Sequence, residues 1–195
     1  MKKYFFAFIV ISSAISLLSC DSDLTPKPRG YFRIDLPERQ YISFDSTYPY
    51  TFEYPTYAKI VPRTDARAEA YWINLSFPCF RGELNISYKS IKSKEDLQNF
   101  ERESFNFTSK HVQKASSIDE QIIRNDSTRV YGTLYDIQGI GTASSCQFVL
   151  TDSVKHFFRG ALYFNARPNN DSLAPVLEFV KKDINHLIKT FRWKN

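Results

Sequence analysis

The sequence predicts an α+β domain in which an antiparallel sheet built from hairpins carries two main helices. Three observations indicate this class. Segments that alternate apolar and polar residues are separated by turn residues, and two further segments repeat apolar residues at helical spacing. The order along the chain is strands, helix, strands, helix.

The first predicted strands lie between residues 31 and 91. YFRIDL (31–36) alternates and ends at Pro37, and TFEYP (51–55) follows it. YWINLSF (71–77) and ELNISYKSI (83–91) flank a turn around residues 79–82, so their period of two predicts a hairpin.

The first helix is expected to begin near Ser93. Its hydroxyl can cap a helix, and Asp96 lies three residues further along, at the position of a capping box. Five residues then fall on one face at helical spacing: Leu97, Phe100, Ser104, Phe107 and His111.

Two more hairpins and a terminal helix follow. EQIIR (120–124) and TRVYGTLYDIQ (128–138) form the first hairpin, and CQFVL (146–150) and VKHFFRGALYFN (154–165) form the second. Ser172 is the expected N-cap of the last helix, with Pro175 tolerated in its first turn. The apolar stripe that should bury against the sheet comprises Leu173, Val176, Leu177, Val180, Ile184, Leu187, Ile188 and Phe191. This order of elements resembles the PsbP/Mog1-like arrangement, although a fold does not fix a function.

Residues 1–19 are predicted to be a lipoprotein signal peptide. Lys2 and Lys3 precede about fifteen mostly apolar residues, fewer than the roughly 20 that a permanent membrane-spanning helix needs. Leu17-Leu18-Ser19-Cys20 resembles the lipobox at which bacterial lipoproteins are cleaved and acylated, with palmitate among the expected acyl chains. Cys20 is therefore the predicted lipidation site, and an ordinary cleaved signal peptide is the alternative.

The lipidated cysteine and a tether occupy residues 20–29, and residues 30–195 form a single predicted globular domain. Pro26 and Pro28 stiffen the tether, because proline-rich segments extend by about 3.1 Å per residue. Acyl chains contribute about 0.8 kcal/mol per buried CH₂, so several of them hold a chain durably on a membrane. The membrane is thus the first expected partner, through the lipid anchor.

Two cysteines remain once Cys20 is set aside. Cys79 and Cys146 are an even number in an exported protein, and a disulfide closing so long a loop would stabilise the fold. Two separate buried thiols are the alternative, since cysteine is among the most buried residue types.

Charge and motifs point away from nucleic acid, cofactors and catalysis. The formal charge of +5 falls to about +3 without Lys2 and Lys3, and no basic run with interleaved aromatics occurs. The three histidines, at 111, 156 and 186, have no second ligand at metal-binding spacing. GIGTASS (139–145) lacks the lysine and third glycine of phosphate-binding loops, and no serine-nucleophile motif occurs. We therefore expect no cofactor, no metal and no enzyme activity.

An Asp-Ser pair followed by a small or aliphatic residue occurs four times. Its serines are Ser46, Ser127, Ser153 and Ser172. The pattern is similar to O-glycosylation acceptor sites of Bacteroidetes envelope proteins. The alternative is structural, because Asp-Ser pairs favour turns and helix caps, where all four are predicted to lie.

The segment PKPRGYFRIDLPERQY (26–41), followed by FEYP, WINLSFP and SYK, resembles the gliding-motility lipoprotein GldD family of Bacteroidetes. The likeness runs from the lipobox to the C-terminal LIKTFRW, and KPRGYFRIDLP is its most distinctive part. The family implies a cell-envelope lipoprotein needed for gliding, acting alongside the gliding machinery and the associated type IX secretion system. It supplies no catalytic residues that could be carried over to this chain.

Two functions are open at this point. The first is a non-enzymatic accessory that contacts other gliding or secretion proteins of the envelope, with Arg29, Tyr31, Phe32 and Arg33 as the expected contact surface because Tyr and Arg are enriched at interfaces. The second is an envelope ligand-binding protein or hydrolase with an unrecognised site. Asp21 directly after the cysteine signals retention in the inner membrane of enterobacteria but export in Bacteroidetes. We expect the outer membrane, with the domain facing the periplasm.

Overall fold

Ten strands, two α-helices and one 3-10 helix make up the computed structural model, which describes residues 33–110, 114–139, 142–165 and 170–194. The elements in chain order are β1 (Tyr41–Phe44), β2 (Tyr50–Pro55), β3 (Lys59–Pro62), β4 (Ile73–Phe77), the 3-10 helix (Pro78–Phe80), β5 (Gly82–Ser90), α1 (Lys94–Ser109), β6 (Ser117–Asn125), β7 (Val130–Gln138), β8 (Ser144–Thr151), β9 (His156–Phe164), α2 (Asn170–Thr190) and β10 (Arg192–Trp193).

The strands form two antiparallel sheets. The larger sheet has seven strands in the order β3-β4-β5-β9-β8-β7-β6, and the smaller has three in the order β1-β2-β10. Every pairing is antiparallel. The predicted α+β class is confirmed, and the predicted single sheet is in fact divided into two.

The hydrophobic core lies between α2 and the sheets. Alternate residues of β4 and β5 point into it because successive side chains of a strand face opposite sides. The stripe of α2 predicted from helical spacing supplies the facing side, with Val180, Ile184 and Leu187 at most 1% exposed. Burying each such side chain contributes about 1.5–3 kcal/mol, so this interface dominates the stability of the domain.

Helix α1 covers part of the opposite face of the larger sheet. Ser93 is its N-cap, as predicted: its hydroxyl accepts from the Asp96 backbone N–H at 3.1 Å, and the Asp96 carboxylate accepts from the Ser93 backbone N–H at 3.0 Å. The residues of α1 that are buried are polar, Ser104 and Thr108. The contact between α1 and the sheet is therefore partly polar, unlike the core.

The structure differs from the sequence predictions at three places. The strand predicted over 31–36 is not found in its described part: residues 33–40 form no strand, and the first strand of the described residues begins at Tyr41. Pro37 has no backbone N–H to donate to a neighbouring strand. Helix α2 begins at Asn170, which places Ser172 inside the helix and not at its N-cap. Strands β1, β3 and β10 were not predicted; each has four residues or fewer.

Candidate functional site

Asp183 of α2 is a buried carboxylate at the centre of one polar cluster. Its side chain is 1% exposed and accepts three hydrogen bonds. Arg39 Nε donates at 3.2 Å and the Tyr41 hydroxyl at 2.7 Å, both to Oδ1, while the Tyr57 hydroxyl donates to Oδ2. We call these four residues the Asp183 network.

The network fastens the chain ahead of β1 onto α2. The Arg39 guanidinium also donates to the Phe179 carbonyl oxygen at 3.2 Å and lies 3.9 Å from the centre of the Phe179 ring. Burial and the hydrogen bond to Asp183 raise the pKa of Tyr41 to about 12 and raise that of Tyr57 further, so both hydroxyls stay protonated donors. Each donor is thereby matched to a carboxylate oxygen.

A second contact reinforces the same junction. The Tyr41 ring stacks on the His186 ring, with centroids 3.7 Å apart and an interplanar angle of 13°. His186 Nε2 in turn donates to Glu53 Oε2 at 2.6 Å. Strands β1 and β2 are therefore both bonded to the last half of α2.

Residues 34–40, which we call the entry segment, run into this junction without regular secondary structure. Ile34 is 38% exposed and Leu36 is 42% exposed. The network fixes the end of the segment through Arg39, while its apolar side chains remain at the surface.

A cavity of about 210 Å³, which we call the polar cavity, lies between α1 and the larger sheet. Its floor comes from β5 and β9, where Ser87 pairs with Arg159 and Asn85 pairs with Ala161. Glu103, Ser104 and Phe107 of α1 line it from above, and Trp72 and Arg63 line one side. The register of two neighbouring strands thus brings a guanidinium, an amide and a hydroxyl to one place.

Of the three cations that line the polar cavity, two are paired with carboxylates. Lys89 Nζ lies 2.9 Å from Glu103 Oε2, and Arg63 Nε donates to Asp65 Oδ2 at 2.8 Å. Arg159 instead donates to the neutral amide oxygen of Gln147 at 2.8 Å and has no carboxylate within 4.0 Å among the residues that the structure describes. Burial lowers the pKa of Arg159 from its ordinary value, although a guanidinium stays protonated.

Three amide side chains and Ala161 form one row across four paired strands, and Asn85 and Ala161 of this row line the cavity. Asn74 of β4 pairs with Asn85 of β5, Asn85 with Ala161 of β9, and Ala161 with Gln147 of β8. Within the described part of the chain, Asn74 Oδ1, Asn85 Oδ1 and Gln147 Nε2 are buried and have no hydrogen-bond partner. We call Asn74, Asn85 and Gln147 the amide row.

The two cysteines are not joined. Cys79 is exposed in the 3-10 helix and Cys146 is buried in β8, and both of these cysteines of the described part of the chain are free thiols, without the predicted disulfide. Burial raises the pKa of the Cys146 thiol to about 12, which makes it unreactive near neutral pH.

Three of the four Asp-Ser pairs lie in surface turns. Ser46 follows β1 and accepts from the Tyr48 backbone N–H at 3.3 Å, while exposed Ser127 donates to Asn125 Oδ1 at 2.7 Å. Ser153 is exposed at a left-handed backbone position with φ of 64°. The fourth, Ser172, lies within α2.

The remaining predicted site residues are distributed between described and undescribed parts. Cys20, Arg29, Tyr31, Phe32 and His111 lie outside the described residues, as does part of the 139–145 glycine loop. Arg33 is described and exposed.

The described residues contain neither a cluster of metal ligands nor a helix that could span a membrane. The His, Cys, Asp and Glu side chains there form no group of three that could hold a metal ion. Among the same residues, the helices are too short or too polar to cross a membrane.

The comparison with protein families decides the family. The model of the gliding motility lipoprotein GldD family matches residues 21–193, which is nearly the whole chain. The chain belongs to this family. GldD membership makes it a lipoprotein of the cell envelope with an accessory role in gliding motility, and the resemblance read from KPRGYFRIDLP is confirmed.

Comparisons with individual proteins add less. No curated protein matches the chain. Among solved structures, the chain is similar to cyanobacterial PsbP (CyanoP) from Synechocystis sp. PCC 6803, with 12% identity and a TM-score of 0.48, over 83% of this chain and 97% of that chain. A likeness of this size carries no argument about what this GldD family member does.

Sequence reasoning did not find the Asp183 network or the amide row. One signal for the network was present: Asp183 lies three residues after Val180 and one before Ile184, so it interrupts the apolar stripe of α2. The amide row has no comparable local signal, because its members come from three separate strands and meet only through the sheet register.

Proposed function

We propose that the chain is a lipid-anchored envelope lipoprotein that acts, without catalysis of its own, as an accessory of the gliding-motility machinery and the associated type IX secretion system. The family match over residues 21–193 is the observation that carries this proposal. The lipobox ending at Cys20 and the proline-containing tether support the anchored form. In this account residues 1–19 are removed, residues 20–29 tether the chain, and residues 30–195 form one domain.

Contact with other gliding or secretion proteins is assigned to the region that begins with Arg29, Tyr31, Phe32 and Arg33 and continues into the entry segment. The exposure of Ile34 and Leu36 supports this assignment. The Asp183 network supports it as well, because a segment fixed at Arg39 loses less conformational entropy on binding than a free one. The occupant we propose is another envelope protein of the same machinery.

A cross-linking experiment in cells tests the contact. A photoreactive amino acid at position 36 should yield cross-links to motility or secretion proteins, whereas the same amino acid at Val154, a 62% exposed position in the β8–β9 turn, should not. Equal cross-linking from both positions, or none from position 36, would count against the proposed surface.

The anchor and its membrane are tested separately. We propose the outer membrane with the domain facing the periplasm. Labelling with a palmitate analogue should mark the wild-type chain and not a Cys20→Ala variant, and the variant should leave the membrane fraction. In intact cells the wild-type chain should resist added protease and become sensitive when the outer membrane is opened. Digestion in intact cells would place the domain on the cell surface and contradict the proposed orientation.

The Asp-Ser serines Ser46, Ser127, Ser153 and Ser172 are proposed as O-glycosylation acceptors. Exposure of Ser127 and Ser153 in turns supports this for two of them, since an acceptor hydroxyl must reach the enzyme. Intact-mass analysis of the chain purified from its own cells should show added hexose masses that disappear when these serines become alanine.

An envelope ligand-binding protein is the second candidate function. The polar cavity supports this candidate, because Arg159 has no carboxylate within 4.0 Å among the described residues and a guanidinium binds anions. The two candidate functions are compatible in one domain, since the cavity and the entry segment are built from different residues.

A further inference from the structure

The polar cavity combines features that do not stabilise the fold. A buried polar atom without a partner costs roughly 1–3 kcal/mol, and native proteins contain few of them. Three such atoms occur in the amide row, and Asn85 of that row lines the polar cavity. Ala161, which pairs with both Asn85 and Gln147, also lines the cavity and has the smallest side chain in the row.

The charges that line the polar cavity favour an anionic ligand. Arg63 is paired with Asp65. Glu103 pairs with Lys89 and also attracts Arg159, so these three side chains together leave one net positive charge in the cavity. Phe107 covers the Arg159 guanidinium, whose carbon lies 4.7 Å from the ring centre, and the surroundings are therefore less polar than water. A cation in such a place interacts with an anion more strongly than a surface cation does.

From these contacts we infer that the polar cavity binds an acidic sugar residue of the uronic acid type. The carboxylate pairs with Arg159, and the sugar hydroxyls, which both donate and accept, bond to Asn85 and to the hydroxyl groups that line the cavity. Asn85 is the member of the amide row that lines the cavity together with Ser87 and Ser104, and a sugar hydroxyl can supply the donor that its Oδ1 lacks. This inference rests on the second candidate function, ligand binding, and its failure would leave the proposed accessory role untouched.

Other ligand classes fit less well. A phosphate ester carries about two negative charges, whereas the cavity has one unpaired cation. A peptide carboxylate matches Arg159 but brings few further hydrogen-bonding groups for a lining that also contains Ser87, Ser104 and Tyr163. The volume of about 210 Å³ suits one sugar unit and not a drug-sized molecule, for which pockets of roughly 300–1,000 Å³ are typical.

The two tryptophans of the chain provide a reporter and a control for a ligand-binding experiment. It has two tryptophans: Trp72 lines the polar cavity, and Trp193 lies in β10 of the smaller sheet. The full chain, purified in detergent and labelled with ¹⁵N, is titrated with sodium glucuronate. The Trp72 indole N–H resonance should shift with saturation, while that of Trp193 should stay in place.

Comparator ligands and variants complete the design. Glucose, which lacks the carboxylate, should bind roughly 10- to 100-fold more weakly than glucuronate, the range expected for one hydrogen bond to a charged group. Arg159→Met should weaken glucuronate binding by a similar factor, Arg159→Lys by less, and Asn85→Ala by a smaller factor still. Arg124→Met removes an exposed arginine three strands away and should change nothing.

Each opposing outcome overturns the inference. An unmoved Trp72 resonance in the wild-type chain, or glucuronate binding that survives Arg159→Met in a folded variant, would refute the site. Binding of N-acetyl-phenylalanine in preference to glucuronate would refute the assignment of a sugar. Binding of glucose 6-phosphate in preference to glucuronate would refute the assignment of a carboxylate as the anionic group. If Arg159→Met does not fold, the wild-type comparison of glucuronate with glucose decides the question, with Arg159→Lys as the variant.

Discussion

Replacing Asp183 by asparagine should destabilise the domain strongly while leaving its shape almost unchanged. The carboxylate is 1% exposed and accepts from Arg39, Tyr41 and Tyr57. The variant removes the negative charge. Its amide NH₂ group is a donor, so one of the three groups that donate to Asp183 would face another donor and lose its acceptor. Breaking one partner of a buried ion pair costs about 3–5 kcal/mol.

The geometry places the expected cost at the lower end of that range. The Arg39 side chain is 33% exposed, so water can solvate its stranded charge, and the main loss comes from the two part-buried hydroxyl contacts of Tyr41 and Tyr57. We expect a loss of about 3 kcal/mol in the free energy of unfolding, out of a total of about 5–15 kcal/mol for a typical domain. The midpoint of thermal unfolding should fall by about 6–12 °C.

Urea denaturation followed by circular dichroism measures this loss. Tyr41→Phe removes one of the three hydrogen bonds and should cost about 1 kcal/mol. Asp126→Asn serves as the matched control, because that carboxylate is exposed and pairs with exposed Arg124, and it should change stability by less than about 0.5 kcal/mol. A loss below about 1 kcal/mol for Asp183→Asn would refute the view that the network fastens the entry segment to α2.

Three further predictions concern other parts of the domain. Burial lowers the pKa of His156, so its contribution to stability is present above the unfolded value of 6.5 and is lost as pH falls through the lower folded pKa. The free energy of unfolding, measured with urea, should therefore fall more between pH 7 and pH 5 in the wild type than in His156→Gln. Equal decreases in the two proteins would contradict this prediction. In the folded protein iodoacetamide should modify exposed Cys79, whereas Cys146 should react only in urea; if neither reacts until a reductant is added, the cysteines are bridged. Ser93→Ala should cost about 1 kcal/mol through the lost capping box of α1, and an unchanged urea midpoint would contradict that role.

Local signals in the sequence predicted the parts of the fold that depend on neighbouring residues. The start of α1 followed from Ser93 and Asp96, because a capping box is formed within four residues. The hairpins β6–β7 and β8–β9 followed from alternation on both sides of short turns. Strands β1, β3 and β10 could not be predicted in this way, because strands this short are formed through pairing with other strands and have little local pattern of their own.

The candidate sites depended still more on distant contacts. Arg39 and Asp183 are 144 residues apart in the sequence, so the spacing of either residue could not reveal the network. Asn85 and Gln147 share one row of the sheet, on either side of Ala161, only when both pairings have their observed register. The KPRGYFRIDLP signature predicted the family because it is a continuous segment, while the same segment gave no mechanism.

The entry segment links the family assignment to a testable role. Ile34 and Leu36 are exposed, and the Asp183 network holds the end of the segment in place. Charged residues at these two positions should block an apolar contact and leave the core untouched. Ile122 and Val154, which are 77% and 62% exposed, provide a control pair elsewhere on the surface.

Gliding of a strain that lacks the gene, complemented with these variants, is the most direct test. The Ile34→Asp/Leu36→Asp chain should reach normal abundance in the membrane fraction and fail to restore gliding, while the Ile122→Asp/Val154→Asp chain should restore it. Normal gliding with the first variant would contradict the claim that this lipoprotein acts through its entry segment.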